Sequence, residues 1–103
     1  MIGNPKTKAW RSNKYLEFIR SQPVLIEGQG ETVFHHVRID GNAGTGLKPG
    51  DNFTIPIPKL VHDAFHAGKE SDREFLERHG IDIYRVLHKL TSEYIKEMLW
   101  KCF

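Results

Sequence analysis

The sequence predicts a small α+β fold, and three observations support this class. Short runs rich in β-branched, aromatic or proline residues, at 24–26, 32–39 and 53–58, have the composition of strands or extended segments. Amphipathic helical patterns lie on both sides of them, at 8–21 and beyond residue 59. The 103 residues are one domain in length. We expect it to comprise a basic N-terminal helix (1–22), a central core (23–68) and C-terminal helices (69–103).

The first predicted helix, residues 8–21, has a basic face and an opposite apolar face that holds Trp10, Tyr15, Phe18 and Ile19. Residues 1–20 hold five basic residues and one acidic residue, whereas the rest of the chain is close to neutral. A basic arm of this kind suits a polyanionic partner, although a solvated helix face is the alternative. The candidate phosphate contacts on this arm are Lys6, Lys8, Arg11 and Lys14.

The middle of the chain predicts extended structure around a long loop. Residues 24–26 form a short strand-like run, and 32–39 is the best strand candidate because it is β-branched and aromatic. The loop at 40–52 carries four glycines, and unstructured loops of this length are usually functional or disordered. Residues 53–58 are predicted to be extended, since Pro56 and Pro58 at alternate positions exclude a helix.

Three helices are predicted after residue 58. The first covers 59–67, with Pro58 just before it and Gly68 just after it. A capping box, Ser71-x-x-Glu74, opens a second helix that ends near residue 78. The third covers 82–100. Its predicted inward-facing residues are Tyr84, Leu87, Leu90, Tyr94, Met98 and Trp100.

Several classes of protein are excluded or disfavoured by composition. The single cysteine, Cys102, excludes an internal disulfide framework and a zinc site built from several thiolates. No apolar run approaches the length of roughly 18 residues that a membrane-spanning helix needs. The first residues lack the apolar stretch of a signal peptide. We therefore expect a cytoplasmic protein without a membrane partner.

Four of the six histidines fall in two pairs whose spacing suits a metal site. His62 and His66 are four apart on a predicted helix, so both imidazoles lie on one face. His35 and His36 are adjacent on a predicted strand and point to opposite sides. If His35 completes a three-nitrogen site with the helical pair, His36 stays free as a general base. A helical pair alone is usually coincidental, but two pairs joined by a glycine-rich loop are harder to dismiss.

In this order the motifs resemble the HNH (ββα-metal) endonucleases, and most closely the small phage HNH proteins of the recombination-enhancement (Ref-like) group. The resemblance covers roughly residues 5–80 and depends on the ordered series of motifs more than on any one of them. The motifs are His35-His36-Val37-Arg38, Gly44-Thr45-Gly46-Leu47-Lys48-Pro49, Asp51-Asn52, Ile55-Pro56-Ile57 and His62-x-x-x-His66.

The resemblance implies metal-dependent hydrolysis of DNA phosphodiester bonds, with a ββα-metal core. It implies that the catalytic base is His36, and that Asn52 or Asp51 is the residue that holds the base-bearing loop. The implied metal ligands are His35, His62 and His66. The family is linked to Mg²⁺ or Mn²⁺ in turnover, whereas three imidazoles also suit Zn²⁺ or Ni²⁺ in a purified sample.

One departure from the resemblance concerns a second, structural zinc. Many members of the group hold it with two Cys-x-x-Cys pairs, whose positions fall here on Val24, Glu27, Pro58 and Val61. We therefore expect no structural zinc. In its place we expect an apolar plug of Val24, Ile26, Pro58 and Val61.

The implied partner is DNA, read with low sequence specificity because no base-reading helix is evident. Arg38 and Lys48 flank the histidines and are candidate phosphate contacts. A host or phage recombination or replication protein, or a second copy of the chain, is a further candidate partner, in the cytoplasm of a bacterial host. Two alternatives remain: a DNA-binding module without turnover, and a metal-binding protein that acts on a host protein.

Overall fold

The computed structural model describes residues 9–39, 41–42 and 47–101. Lys6, Lys8 and part of the glycine-rich loop, at 40 and 43–46, lie outside the described residues. The elements in chain order are α1 (Asn13–Arg20), β1 (Thr32–His36), a one-turn 3₁₀ helix (Asp51–Phe53), β2 (Thr54–Pro58), α2 (Lys59–Ala67), α3 (Asp72–Arg78) and α4 (Ile83–Lys101). Four helices and one small sheet confirm the α+β class. Within the described residues, none of the helices combines the length and apolar character that a membrane span requires.

The two strands form an antiparallel pair that leads directly into α2. The register joins Thr32 to Pro58 and His36 to Thr54. β1 ends at His36, three residues earlier than predicted, although the Val37 amide still donates to the Phe53 carbonyl at 2.9 Å. β2 runs into α2 without a loop, and α2 packs back against the sheet, so His35 near the end of β1 lies beside His62 and His66.

The predicted strand at residues 24–26 does not form. Its backbone makes one bond to β2, from the Leu25 amide to the Pro56 carbonyl at 3.1 Å. The backbone groups of Pro56 and Pro58 both face this edge of β2, because residues two apart in a strand direct their backbone groups to the same edge. Neither proline has an N–H to donate, so a third strand has no ladder to join.

The first helix begins at Asn13, five residues later than predicted. Ser12 caps it, and its hydroxyl accepts from the Tyr15 amide at 3.1 Å. Before this cap the chain is held by the segment that precedes β2. The Trp10 carbonyl accepts from the Asp51 amide at 2.8 Å, and Arg11 donates to the carbonyls of Lys48 and Pro49.

The core lies between the sheet and helices α1, α3 and α4. Its buried apolar residues are Tyr15, Ile19, Ile26, Val37, Ile55, Ile57, Phe75, Leu76, Leu87 and Leu90. Burying one such side chain contributes about 1.5–3 kcal/mol, so these residues dominate the stability of the fold.

The predicted apolar plug forms only in part. Ile26 and Pro58 are buried and Val61 packs against the core, whereas Val24 is 38% exposed. Gly28 lets the chain approach α2 here, since a Cβ at this position would lie 2.5 Å from Cγ2 of Val61. Val24 lies before this close approach, in the segment that fails to pair with β2, and that explains its exposure.

The C-terminal helices follow their sequence signals closely, except at the ends of α4. Ser71 and Glu74 form the predicted capping box. Leu87 and Leu90 of α4 are buried as predicted, but Tyr84 and Trp100 are exposed. A 19-residue helix is about 28 Å long and a five-residue strand about 17 Å, so the two ends of α4 extend beyond the sheet.

Candidate metal centre

Three histidines from β1 and α2 meet at the junction of the sheet and the helix. One ring nitrogen from each of His35, His62 and His66 lies within 4.8 Å of the others. The Nε2 atoms of His62 and His66 are 3.1 Å apart. Two nitrogen ligands of one cation are expected to lie about 3.0–3.4 Å apart, given metal–nitrogen bonds of about 2.1 Å. The cluster predicted from spacing is therefore brought together by the fold.

His35 is the buried member of this cluster, with 2% of its surface exposed. Its Nε2 atom lies 2.8 Å from Oδ1 of Asp72, at the start of α3. Its Nδ1 atom is also buried and makes no hydrogen bond to any residue that the structure describes. A buried nitrogen left without a partner beside two other imidazoles fits a metal ligand.

The chemistry of the helical pair also fits a cation. Burial lowers the pKa of His62, the contact with Asp63 opposes this effect without cancelling it, and the neighbouring His66 and His35 act in the same direction as burial. The Nδ1 atom of His62 faces Oδ1 of Asp63 at 3.5 Å. A histidine with a lowered pKa is neutral near pH 7, and only neutral imidazole binds metals.

His36 points to the opposite side of β1, as strand alternation predicts. Its Nε2 atom lies 2.9 Å from Oδ1 of Asp51. Burial lowers the pKa of His36, and the hydrogen bond to Asp51 opposes this effect without cancelling it. Because a carboxylate only accepts, the imidazole donates through Nε2 and keeps a lone pair on Nδ1.

Asp51 lies in the segment before β2, and its carboxylate is fixed by Arg11 and Ser12, just before α1. Its Oδ2 atom accepts from the Ser12 amide at 2.8 Å, and Oδ1 lies 3.2 Å from the Arg11 guanidinium. Burial acts to raise the pKa of Asp51, but the bonds from His36, Ser12 and Arg11 together lower it. Of the two residues that the sequence left open, Asp51 is thus the one that contacts His36.

Asn52 lies elsewhere. Its side chain folds back over Gly50 and lines a hollow with Trp10, Tyr15 and Tyr94, away from the histidines. Asn52 does not line the cleft that the four histidines share, and its role in the site stays a prediction.

A cleft of about 530 Å³ connects the metal cluster with His36. Arg38 and Lys48, both predicted as phosphate contacts, line it, and so does Arg20 from the end of α1. Arg20 was not singled out from the sequence. Its guanidinium lies 5.8 Å from the centre of the Phe34 ring, which is a contact between elements that spacing along the chain cannot reveal.

Of the four predicted phosphate contacts on the basic arm, the two that the structure describes do not line this cleft. Lys14 lines a separate hollow between α1 and α4, and the Arg11 guanidinium is engaged with Asp51 and two carbonyls. Arg11 therefore acts as a support for Asp51 in this fold.

The remaining two histidines lie outside the cluster, as the sequence indicated. His79 is the C-cap of α3 and packs on Phe75, with ring centres 4.8 Å apart. His88 is exposed on α4.

Comparison with known proteins identifies relatives without assigning a role. The chain is 31% identical over 62 residues to "Uncharacterized protein YdfU" of Escherichia coli (strain K12). The match covers 60% of this chain and 18% of that protein, so the chain spans less than a fifth of the relative's length. No solved structure matches the chain. Residues 1–95 match the family described as "Protein of unknown function (DUF968)", and the chain therefore belongs to the DUF968 family.

Proposed function

We propose that this protein is a metal-dependent endonuclease of the HNH (ββα-metal) type that hydrolyses DNA phosphodiester bonds with low sequence specificity. The observation that carries the proposal is the three-histidine cluster and the Asp51-held His36 in one cleft. A metal site with a purely structural role would not require a further imidazole, such as that of His36, in a fixed orientation beside it.

In this proposal His35, His62 and His66 hold one divalent cation. When bound, the cation supplies Lewis-acid stabilisation of the negative charge that develops on the phosphate. Mg²⁺ or Mn²⁺ is the proposed ion in turnover, and Zn²⁺ or Ni²⁺ the ion that three imidazoles retain most readily.

His36 is the proposed general base. With its pKa lowered by burial, the imidazole is neutral near pH 7, and its Nδ1 lone pair accepts a proton from the attacking water. The proton increases the positive charge on His36, which the carboxylate of Asp51 offsets at 2.9 Å. Asp51 thus fixes the ring orientation and stabilises the protonated form.

The cationic side chains around the cleft suit the DNA backbone. Arg20, Arg38 and Lys48 line the same cleft as the histidines, where they can contact phosphates on either side of the bond that is cut. Phosphate contacts carry no sequence information, and they support the low specificity that we propose.

The cellular compartment that we propose follows from the proposed substrate. We propose the bacterial cytoplasm, because DNA is present there and the relative in Escherichia coli comes from a bacterium. A phage origin, and a recombination or replication protein as partner, stay predictions that derive from the resemblance. A second copy of the chain as partner stays a prediction that derives from the amphipathic C-terminal helix.

Incubating supercoiled plasmid with the protein and Mg²⁺, Mn²⁺, Ni²⁺ or EDTA tests the proposal. We expect nicked and linear plasmid with at least one metal and intact plasmid with EDTA. A His62→Ala variant purified in the same way controls for contaminating nuclease. Intact plasmid under every condition would reject the enzyme. DNA retention in a gel-shift experiment would then favour the DNA-binding module, and its absence the metal-binding interaction protein.

A further inference from the structure

We propose that Asp72 is a positioning residue of the metal centre, which fixes His35 in the tautomer and orientation that direct Nδ1 toward His62 and His66. The inference rests on the metal centre of the proposed function, but not on whether that centre cleaves DNA. Asp72 lies ten residues beyond His62 and belongs to none of the motifs that the sequence analysis assigned to the site.

The carboxylate of Asp72 joins the start of α3 to β1 through one oxygen and to the residues just after β1 through the other. Oδ1 lies 2.8 Å from Nε2 of His35, and Oδ2 accepts from the Arg38 amide at 2.8 Å. The side chain is buried, with 8% of its surface exposed. Because the backbone amide fixes the plane of the carboxylate, the His35 ring cannot rotate without breaking a buried hydrogen bond.

The same contact selects the tautomer of His35. An ionised carboxylate only accepts, so Nε2 carries the proton and Nδ1 keeps its lone pair. The opposite tautomer would place two acceptors 2.8 Å apart and bury an N–H on Nδ1 that has no partner among the described residues. Both effects disfavour the opposite tautomer. The favoured tautomer keeps a lone pair on Nδ1, which can bind a cation.

A carboxylate behind a metal-binding histidine raises the affinity for the metal by orienting the ring and increasing its basicity. Removing such a partner typically weakens metal binding roughly 10- to 100-fold. The cation used to measure this effect is Zn²⁺, which suits imidazole ligands.

The first experiment compares Zn²⁺ binding by calorimetry in the wild-type protein, Asp72→Asn and Asp82→Asn. Asparagine keeps the shape of aspartate but has one acceptor oxygen for two donors. We expect Zn²⁺ affinity to fall roughly 10- to 100-fold in Asp72→Asn. Asp82 is the matched control, since it precedes α4 as an exposed carboxylate that accepts from the Arg85 amide. Equal affinity in Asp72→Asn and the wild type would overturn the inference.

The second experiment observes the tautomer directly and needs no variant. Nitrogen-15 chemical shifts of the zinc-free wild-type protein at alkaline pH, where imidazole is neutral, distinguish the two ring nitrogens of His35. We expect the proton on Nε2, and a shift toward the other tautomer in Asp72→Asn. A proton on Nδ1 in the wild type would contradict the inference even if every variant failed to fold.

These results separate the inference from the proposed function. Zn²⁺ binding that depends on Asp72, in a protein that leaves plasmid intact, would keep the inference and reject the nuclease. Plasmid cleavage together with Zn²⁺ binding that is indifferent to Asp72→Asn would do the reverse.

Discussion

The imidazole of His36 and the carboxylate of Asp51 form a close pair, with Nε2 and Oδ1 2.9 Å apart and Asp51 almost fully buried. The pair joins the end of β1 to the segment before β2. The Arg11 guanidinium contacts the same oxygen, Oδ1, and the Ser12 amide donates to Oδ2, so the start of α1 takes part in the same network. The orientation of the proposed base thus depends on the N-terminal segment.

Asp51→Asn is expected to impair both cleavage and stability. An amide cannot accept from His36, Ser12 and Arg11 together, and its NH₂ group would face a donor. We expect a cleavage rate about 100-fold lower, as for a misplaced catalytic group. The free energy of unfolding should fall by about 2 kcal/mol, as for a lost hydrogen bond to a buried charge. Plasmid cleavage and urea unfolding measure the two effects. Asn52→Ala is the control. An equal loss of cleavage in that variant would indicate that Asn52 also belongs to the site.

The pH dependence of cleavage should report the lowered pKa of His36. A general base acts in its neutral form, so kcat/KM should rise with pH through an apparent pKa below 6.5 and level off near pH 7. Because Asp51 acts to raise the pKa of His36, Asp51→Asn should move the rising limb to lower pH. The measurement is kcat/KM against pH at a fixed, saturating metal concentration. A rising limb centred above pH 7 would contradict the assignment.

Tyr15 should make the fold sensitive to alkali. Burial, and the nearby Tyr94, raise its pKa from 10.0 to about 12. The protonated form is therefore favoured by folding. The corresponding stability, about 3 kcal/mol at most, is fully present below pH 10 and is lost as the pH rises from 10 to about 12.

Tyr15→Phe removes this dependence. The Tyr15 hydroxyl is buried without a hydrogen bond to any described residue, so at pH 7 the variant should be as stable as the wild type or more stable. Urea unfolding at pH 7 and pH 11 measures both effects, with the exposed Tyr84→Phe as the control. A Tyr15→Phe variant that loses as much stability as the wild type between the two pH values would refute the explanation.

The salt dependence of DNA affinity should distinguish the cleft from the basic arm. Lys48 lines the cleft, whereas Lys14 lies in the hollow between α1 and α4. Removing one phosphate contact reduces the slope of log affinity against log salt by about one. We expect this reduction in Lys48→Gln and an unchanged slope in Lys14→Gln, measured by fluorescence anisotropy with metal absent. The reverse result would assign DNA binding to the arm.

The sequence predicted the parts of the site that depend on local periodicity. His62 and His66 share a face because they are four apart on a helix, and His35 and His36 diverge because they are adjacent on a strand. The class of the fold was predictable for the same reason, since each helix and strand has its own pattern.

The parts that depend on distant contacts were not predictable. Asp72 was interpreted as a helix start because it follows Ser71 in a capping box, and nothing local indicates that its carboxylate reaches His35. The choice between Asp51 and Asn52 depends on which side chain turns toward β1. Arg11 was assigned to a helix, although its guanidinium is engaged by carbonyls 37 and 38 residues away.

The most direct test of the central claim compares His36→Ala and His62→Ala in one preparation for Zn²⁺ affinity and Mn²⁺-dependent plasmid cleavage. The account predicts that His36→Ala binds Zn²⁺ as the wild type does and cleaves at least about 100-fold more slowly, because only the base is lost. His62→Ala should lose both properties. A His36→Ala variant that still cleaves at the wild-type rate, or that loses Zn²⁺ binding, would contradict the division of the four histidines into three ligands and one base.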